Sequence, residues 1–223
     1  MEDDPIEGIR LAVDWYVDVV GERSYAPYRR VADPGAVAQP IAAIDAAIAP
    51  LVLPAEIRWL WEHWDAPAFD VVPPAGLSDP AFALDSWTVN TTELGFPRAL
   101  FPIGYSSHRY LALDLTDPPG APATAWAYEF GRSGFERVAP SLEALVRSCV
   151  ERVHAAHLDG ELPDPEDLDL EWYYQRLFHG PAFDAILDRH FAAAGTDRCS
   201  LPGDDPARWP AAWRAVESGS HPA

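Results

Sequence analysis

The sequence predicts an α+β protein in which a central, largely antiparallel sheet is packed by helices, with helical segments added at both ends. Three observations predict it. Apolar residues recur at helical spacing before residue 65 and again after residue 141. Between residues 99 and 138 the apolar period falls to two. The changes of period coincide with Pro- and Gly-rich turns.

A first helix is expected from about Pro5 to Val20, where Ile6, Ile9, Val13, Tyr16, Val17 and Val20 form one stripe. The polar stretch Gly21 to Gln39, with prolines at 27 and 34, reads as a connector. Ile41, Ile44 and Ile48 mark a second helix that Pro50 ends. A third opens at Leu53-Pro54-Ala55-Glu56, with Pro in the first turn and an acid near the positive end of the helix dipole. Its core face is Ile57, Leu60, Trp61 and Trp64, at i, i+3, i+4 and i+7. Residues 65–95 are rich in Pro and loops, with short candidate strands at Phe69–Val72 and Trp87–Asn90.

The β signal is clearest next. Ala99–Ile103 is a short apolar run, and Tyr110–Leu115 sets Leu111, Leu113 and Leu115 against Tyr110, Ala112 and Asp114. A Pro-Pro-Gly turn at 118–120 leads to Thr124–Phe130, where Trp126, Tyr128 and Phe130 share a face. A Gly-Arg-Ser-Gly turn at 131–134 returns the chain into Phe135–Val138, which makes an antiparallel meander. Ser141 caps a helix whose buried face is Leu142, Leu145, Val146, Cys149, Val150 and Val153. Helical periodicity resumes at Trp172–Phe178, then at Phe183, Ile186, Leu187 and Phe191, and Trp209, Trp213 and Val216 suggest a last short helix.

Of the 223 residues, 35 are acidic and 16 basic, all of these Arg, for a formal charge of −19. That field repels phosphate backbones and anionic lipid, so neither nucleic acid nor membrane is an expected partner. A basic protein is the partner class it would steer inward. No apolar run is long enough for a membrane span, the start Met-Glu-Asp-Asp is unlike a basic signal sequence, and two cysteines form no disulfide framework. The cytoplasm is the expected compartment.

The candidate chemistry is thin. Gly104-Tyr105-Ser106-Ser107-His108 follows an apolar strand, yet a nucleophile elbow needs a second Gly and a following helix. Glu151, His154 and His157 lie along one helix edge, but a bundle metal site needs matching motifs on partner helices. Asp114 and Asp117 could pair as carboxylates, although Asp117-Pro118-Pro119-Gly120 is good turn chemistry by itself. There is no phosphate loop and no dinucleotide fingerprint. No catalytic residue, metal or cofactor is therefore expected, and a hydrolase using Ser106 and His108 ranks last.

The order of segments Leu53-Pro54-Ala55-Glu56, Phe101-Pro102-Ile103-Gly104, Leu111-Ala112-Leu113-Asp114-Leu115 and Ala139-Pro140-Ser141-Leu142-Glu143 resembles the SUKH superfamily of cell-wall-assembly regulators and bacterial immunity proteins. The resemblance implies a SUKH-like domain at 35–157, with an N-terminal helical extension at 1–34 and an acidic linker and helical extension at 158–223. It also implies a non-enzymatic role: binding and neutralising a cognate toxin domain, of nuclease or deaminase type, or else serving as a regulatory scaffold for host proteins. The expected binding surface comprises Tyr105, His108, Arg109, Tyr110, Asp114 and Asp117. The strip Asp159, Glu161, Asp164, Glu166, Asp167, Asp169 and Glu171 would add electrostatic steering.

Overall fold

The computed structural model describes residues 5–20, 35–64, 76–105, 109–118, 120–129, 134–161, 177–178 and 180–219. Within them the architecture is α+β. Helices α1 (Pro5–Val20), α2 (Gly35–Ile48) and α3 (Ala55–His63) come first, then a two-residue strand β1 (Gly76–Leu77) and helix α4 (Pro80–Thr92). Strands β2 (Leu100–Tyr105), β3 (Arg109–Asp114), β4 (Ala125–Glu129) and β5 (Phe135–Ala139) follow. Helices α5 (Leu142–Leu158) and α6 (Pro181–Ala193), strand β6 (Ser200–Leu201) and helix α7 (Ala211–Glu217) complete the chain.

The six strands pair in sequence order, each antiparallel to the next. Strands β2 to β5 thus form a meander of local hairpins, as the period-two segments and their turns predict, and β1 and β6 add to its edges across intervening helices. The β2–β3 register is broken between Pro102 and Gly104, where Ile103 is the extra residue. Proline brings no backbone donor to a ladder, and a bulge is where a strand accommodates it.

The alternation along β3 divides the molecule. Leu111 and Leu113 turn into the main core with Phe101, Ile103, Ala125, Ala127 and Val138, in one cluster with apolar residues of α1 to α6. Ala112, on the other side, joins Leu100, Trp126 and Phe135 beneath Trp209, Trp213 and Val216 of the C-terminal segment. Helices therefore pack on both faces of the sheet.

Both terminal helical segments belong to these cores. In α1, Ile9, Ala12 and Val13 are fully buried, and the helix lies against α5. At Gly8 an added Cβ would fall 2.5 Å from Oε2 of Glu143, the movable end of that side chain. Helix α6 is tied to α5 by Glu151, which pairs with Arg189 at 2.8 Å and His190 at 3.1 Å. Ser141 caps α5 as expected, its hydroxyl accepting from the Ala144 amide at 2.9 Å. Cys149 lies wholly buried in the core.

Two expectations are corrected. Trp87–Asn90 is the middle of α4, not a strand. Its Thr and Val residues favour strands, but the threonine hydroxyls bond back to the preceding turn. Thr88 donates to Leu84 O at 2.9 Å, Thr91 to Trp87 O at 2.8 Å and Thr92 to Thr88 O at 2.7 Å. The helix opens on Asp79, whose side chain accepts the Phe82 amide at 2.9 Å, followed by Pro80 at the first position. In addition, α2 begins at Gly35, so residues 35–39 are helical and not connector, with Pro40 inside the helix. The candidate strand Phe69–Val72 and residues 172–176 lie outside the described residues.

Among the described residues no helix is long and apolar enough to cross a membrane.

Candidate functional site

The residues expected to form one surface fall at opposite ends of β3. At its start, Arg109 and Tyr110 stand beside Tyr105 at the end of β2, with Tyr105 opposite Tyr110 in the register. At its end, Asp114 and Asp117 border a cleft.

The start of β3 carries a chain of aromatic rings. Phe82 of α4 contacts Tyr105 with ring centroids 6.1 Å apart, and Tyr105 lies 4.9 Å from Tyr110. Tyr110 meets Phe96 edge-on at 6.3 Å, and Phe96 meets Tyr128 at 4.3 Å and Phe135 at 5.3 Å. Phe135 then reaches Trp213, 5.9 Å away. Edge-to-face pairs of this kind fix ring positions beyond what area burial alone does. The inner end of the chain is buried, whereas Phe82 and Tyr105 are 44% and 40% exposed. Burial, with a smaller contribution from Tyr105, raises the Tyr110 phenol above its ordinary range.

The exposed side of α4 continues this surface. Phe82, Asp85, Val89 and Glu93 fall at i, i+3, i+7 and i+11, one stripe of alternating apolar and acidic residues, all of them exposed. Phe82 is not among the site residues expected from the sequence, because residues 65–95 read there as Pro-rich loop. The Asp-Pro pair at 79–80 was the available signal, since it is a helix start.

The other end of β3 is built around carboxylates. Asp114 is 8% exposed. Its Oδ1 accepts from the Thr116 amide at 2.9 Å and hydroxyl at 2.6 Å, and its Oδ2 from the Trp213 indole at 2.7 Å. Asp114 is therefore an internal anchor for α7. Burial lifts its pKa above the usual carboxylate range, although these hydrogen bonds pull the other way. Asp117 accepts the Thr124 amide at 2.6 Å and holds the β3–β4 loop.

Beside them lies Glu56, 2% exposed. Its Oε2 accepts the Ala123 amide at 3.1 Å, and the Glu143 backbone lies close enough to the carboxylate to stabilise its charge. Burial, followed by the charges of Glu143 and Asp117, pushes its pKa up to about 7 against the lowering effect of the Ala123 and Glu143 amides. In the sequence Glu56 reads only as a helix-start acid. Its spacing held more, because i, i+4 places it above Leu60 on the buried face of α3.

The remaining candidates separate. Ser106 and His108 lie outside the described residues, as do Asp164, Glu166, Asp167, Asp169 and Glu171. Asp159 and Glu161 are exposed past the end of α5, and Glu161 pairs with Arg152 at 2.8 Å. Glu151 is committed to Arg189 and His190, and His154 sits beside the Trp15 ring. No cluster of three or more potential metal ligands occurs among the described residues.

Compared with known proteins, the chain matches no family model, no curated protein and no solved structure.

Proposed function

We propose that this chain acts by binding a basic protein, in the manner of an immunity-type inhibitor that neutralises a toxin domain of nuclease or deaminase type. The observation that carries the reading is the aromatic chain whose outer end, Phe82 and Tyr105, is exposed beside the acids of α4. Rings held by packing lose little freedom on association, which makes them effective anchors. Asp85 and Glu93 on the same stripe, within a net charge of −19, would complement a cationic partner and speed its approach. The likeness to SUKH proteins in the segments at 53–56, 101–104, 111–115 and 139–143 supports the inhibitory role.

The test is co-expression with the toxin-like product of a neighbouring gene, followed by isolation of the complex. Growth should be restored, and replacing Phe82 and Tyr105 together by Ala should weaken the complex by about thirtyfold or more while leaving the fold intact. No rescue and no complex with any such product, or a complex indifferent to both substitutions, overturns the reading.

A further inference from the structure

The exposed stripe of α4 carries charge that the helix does not neutralise. Each acid of α5 and α6 pairs with an Arg: Glu143 with Arg147 at 2.7 Å, Glu151 with Arg189 at 2.8 Å, and Asp184 and Asp188 with Arg198 at 2.7 and 3.7 Å. On α4 no residue is basic, and among the described residues neither Asp85 nor Glu93 forms an ion pair. Arg98, the next cation along the chain, lies over the Trp87 ring, 5.7 Å from its centroid. Glu93 is the residue that closes α4, so its charge adds to the negative end of the helix dipole. A cation from outside would answer both. Between these acids stand Phe82 and Val89, 44% and 42% exposed.

The spacing of the stripe decides what form of chain fits it. Phe82 and Val89 are seven residues apart on α4, about 10.5 Å along the axis, and Asp85 and Glu93 about 12 Å. In a second helix laid alongside, residues seven apart return to one face over the same ~10.5 Å, so successive apolar residues meet Phe82 and Val89. In an extended strand, side chains on one face repeat at about 6.7 Å, and the third residue, at about 10 Å, points to the opposite face. A strand therefore meets one of the two apolar residues and misses the other. A second copy of this chain brings the same acids and a net charge of −19 against itself. We infer that the stripe receives an amphipathic helix of the partner, laid along α4, with apolar residues against Phe82 and Val89 and Arg or Lys side chains opposite Asp85 and Glu93. Cations three or four residues from each apolar residue fall on the facing side of such a helix. The inference rests on the reading of this surface as the one that binds a basic protein.

The probe is a peptide of three heptads with Leu at the first and Arg at the fourth position of each, and Ala and Gln elsewhere. The control has the same composition in a scrambled order that forms no stripe. Amide NMR spectra of the full chain map the contact, and circular dichroism reads the helix gained by the peptide. The ordered peptide should shift the amides of α4 and Tyr105, gain helix, and bind about tenfold more tightly than the control or better. Asp85→Arg combined with Glu93→Arg should weaken it by about tenfold or more and should confer binding of the same peptide with Glu in place of Arg. Both positions are exposed, so the exchange leaves the fold intact. No binding at about 1 mM peptide, equal binding of the control, shifts centred away from α4, no gain of helix, or indifference to the charge exchange overturns the proposal. So does a dimer of the free chain that maps to α4, which assigns the stripe to a second copy. A complex with a toxin-like product alongside a failed peptide titration removes the helix and leaves the inhibitor reading standing. Peptide binding as expected with no such complex does the reverse.

Discussion

The Trp213 indole donates a 2.7 Å hydrogen bond to Oδ2 of Asp114, joining residues 99 apart in the chain. This bond attaches α7 to the end of β3, and the Glu217 side chain adds a second tie by accepting the Arg98 amide at 2.6 Å. Together they hold the cover over the second face of the sheet, where Trp213 packs on Trp126 at 5.0 Å.

Trp213→Phe retains an aromatic ring in that core but removes the donor. The buried Asp114 carboxylate then loses one of its three hydrogen bonds, a deficit of about 1–3 kcal/mol. The urea midpoint should fall, and amides of α7 should exchange faster than those of α5. An unchanged midpoint with unchanged exchange would refute the anchoring role.

Glu56 sets a pH dependence of definite sign. Its folded pKa, about 7, lies above its ordinary value of 4.5, so folding favours the protonated form. The associated stability is fully present below about pH 4.5 and is lost as pH rises through about 7. A displacement of this size corresponds to about 3 kcal/mol. The acids around it are Glu143 at the start of α5, paired with Arg147 at 2.7 Å, and Asp117 in the β3–β4 loop. Glu56→Gln should therefore be more stable than the parent at pH 8 by about 1–3 kcal/mol, with little difference at pH 4.5. Urea unfolding at both pH values checks this; parallel stability curves would contradict it.

The start of α4 rests on Asp79. Replacing it by Ala leaves the Phe82 amide without its acceptor and should cost about 1 kcal/mol. Because Phe82 sits in that first turn, the substitution should also weaken partner binding, whereas Asp79→Asn or Asp79→Ser should restore both. Thermal melts of the three variants separate capping from a general effect of charge.

Elements legible in the sequence are those in which one face is apolar at a regular period. The stripes of α3 and α5 and the alternation of Leu111 and Leu113 against Ala112 are of this kind, and each is observed as predicted. Helix α4 was not legible because its buried positions are Pro80, Ala83, Ser86, Trp87 and Asn90, only one of them a large apolar residue. Strands β1 and β6 have two residues each, too few to show a period. For the site, a strand six residues long separated what adjacency in sequence had grouped, so Tyr105 and Asp117 face different environments. Glu56 meets the Ala123 amide through tertiary packing between residues 67 apart, which no local pattern encodes.

The edge of the sheet gives the last prediction. Gly134 precedes β5, and a Cβ there would lie 2.6 Å from the carbonyl oxygen of Leu201 in β6. That oxygen is backbone, so relief requires moving the strand. Strand β6 is held by the pairing of Phe135 with Leu201 and by the Arg137 amide donating to Cys199 O at 2.9 Å. It leads directly to Pro202, whose carbonyl accepts the Trp209 indole at 2.9 Å. Gly134→Ala should consequently loosen β6 and disturb the Trp209 end of the second core, at a cost of about 1–3 kcal/mol. Gly95→Ala provides the contrast, because Gly95 has φ +69° and no neighbour within 4 Å of an added Cβ. It should show backbone strain of about 1–2 kcal/mol with no change at β6. Hydrogen exchange at the Arg137 amide distinguishes the two: it should accelerate in Gly134→Ala relative to the rest of the sheet and stay in proportion in Gly95→Ala.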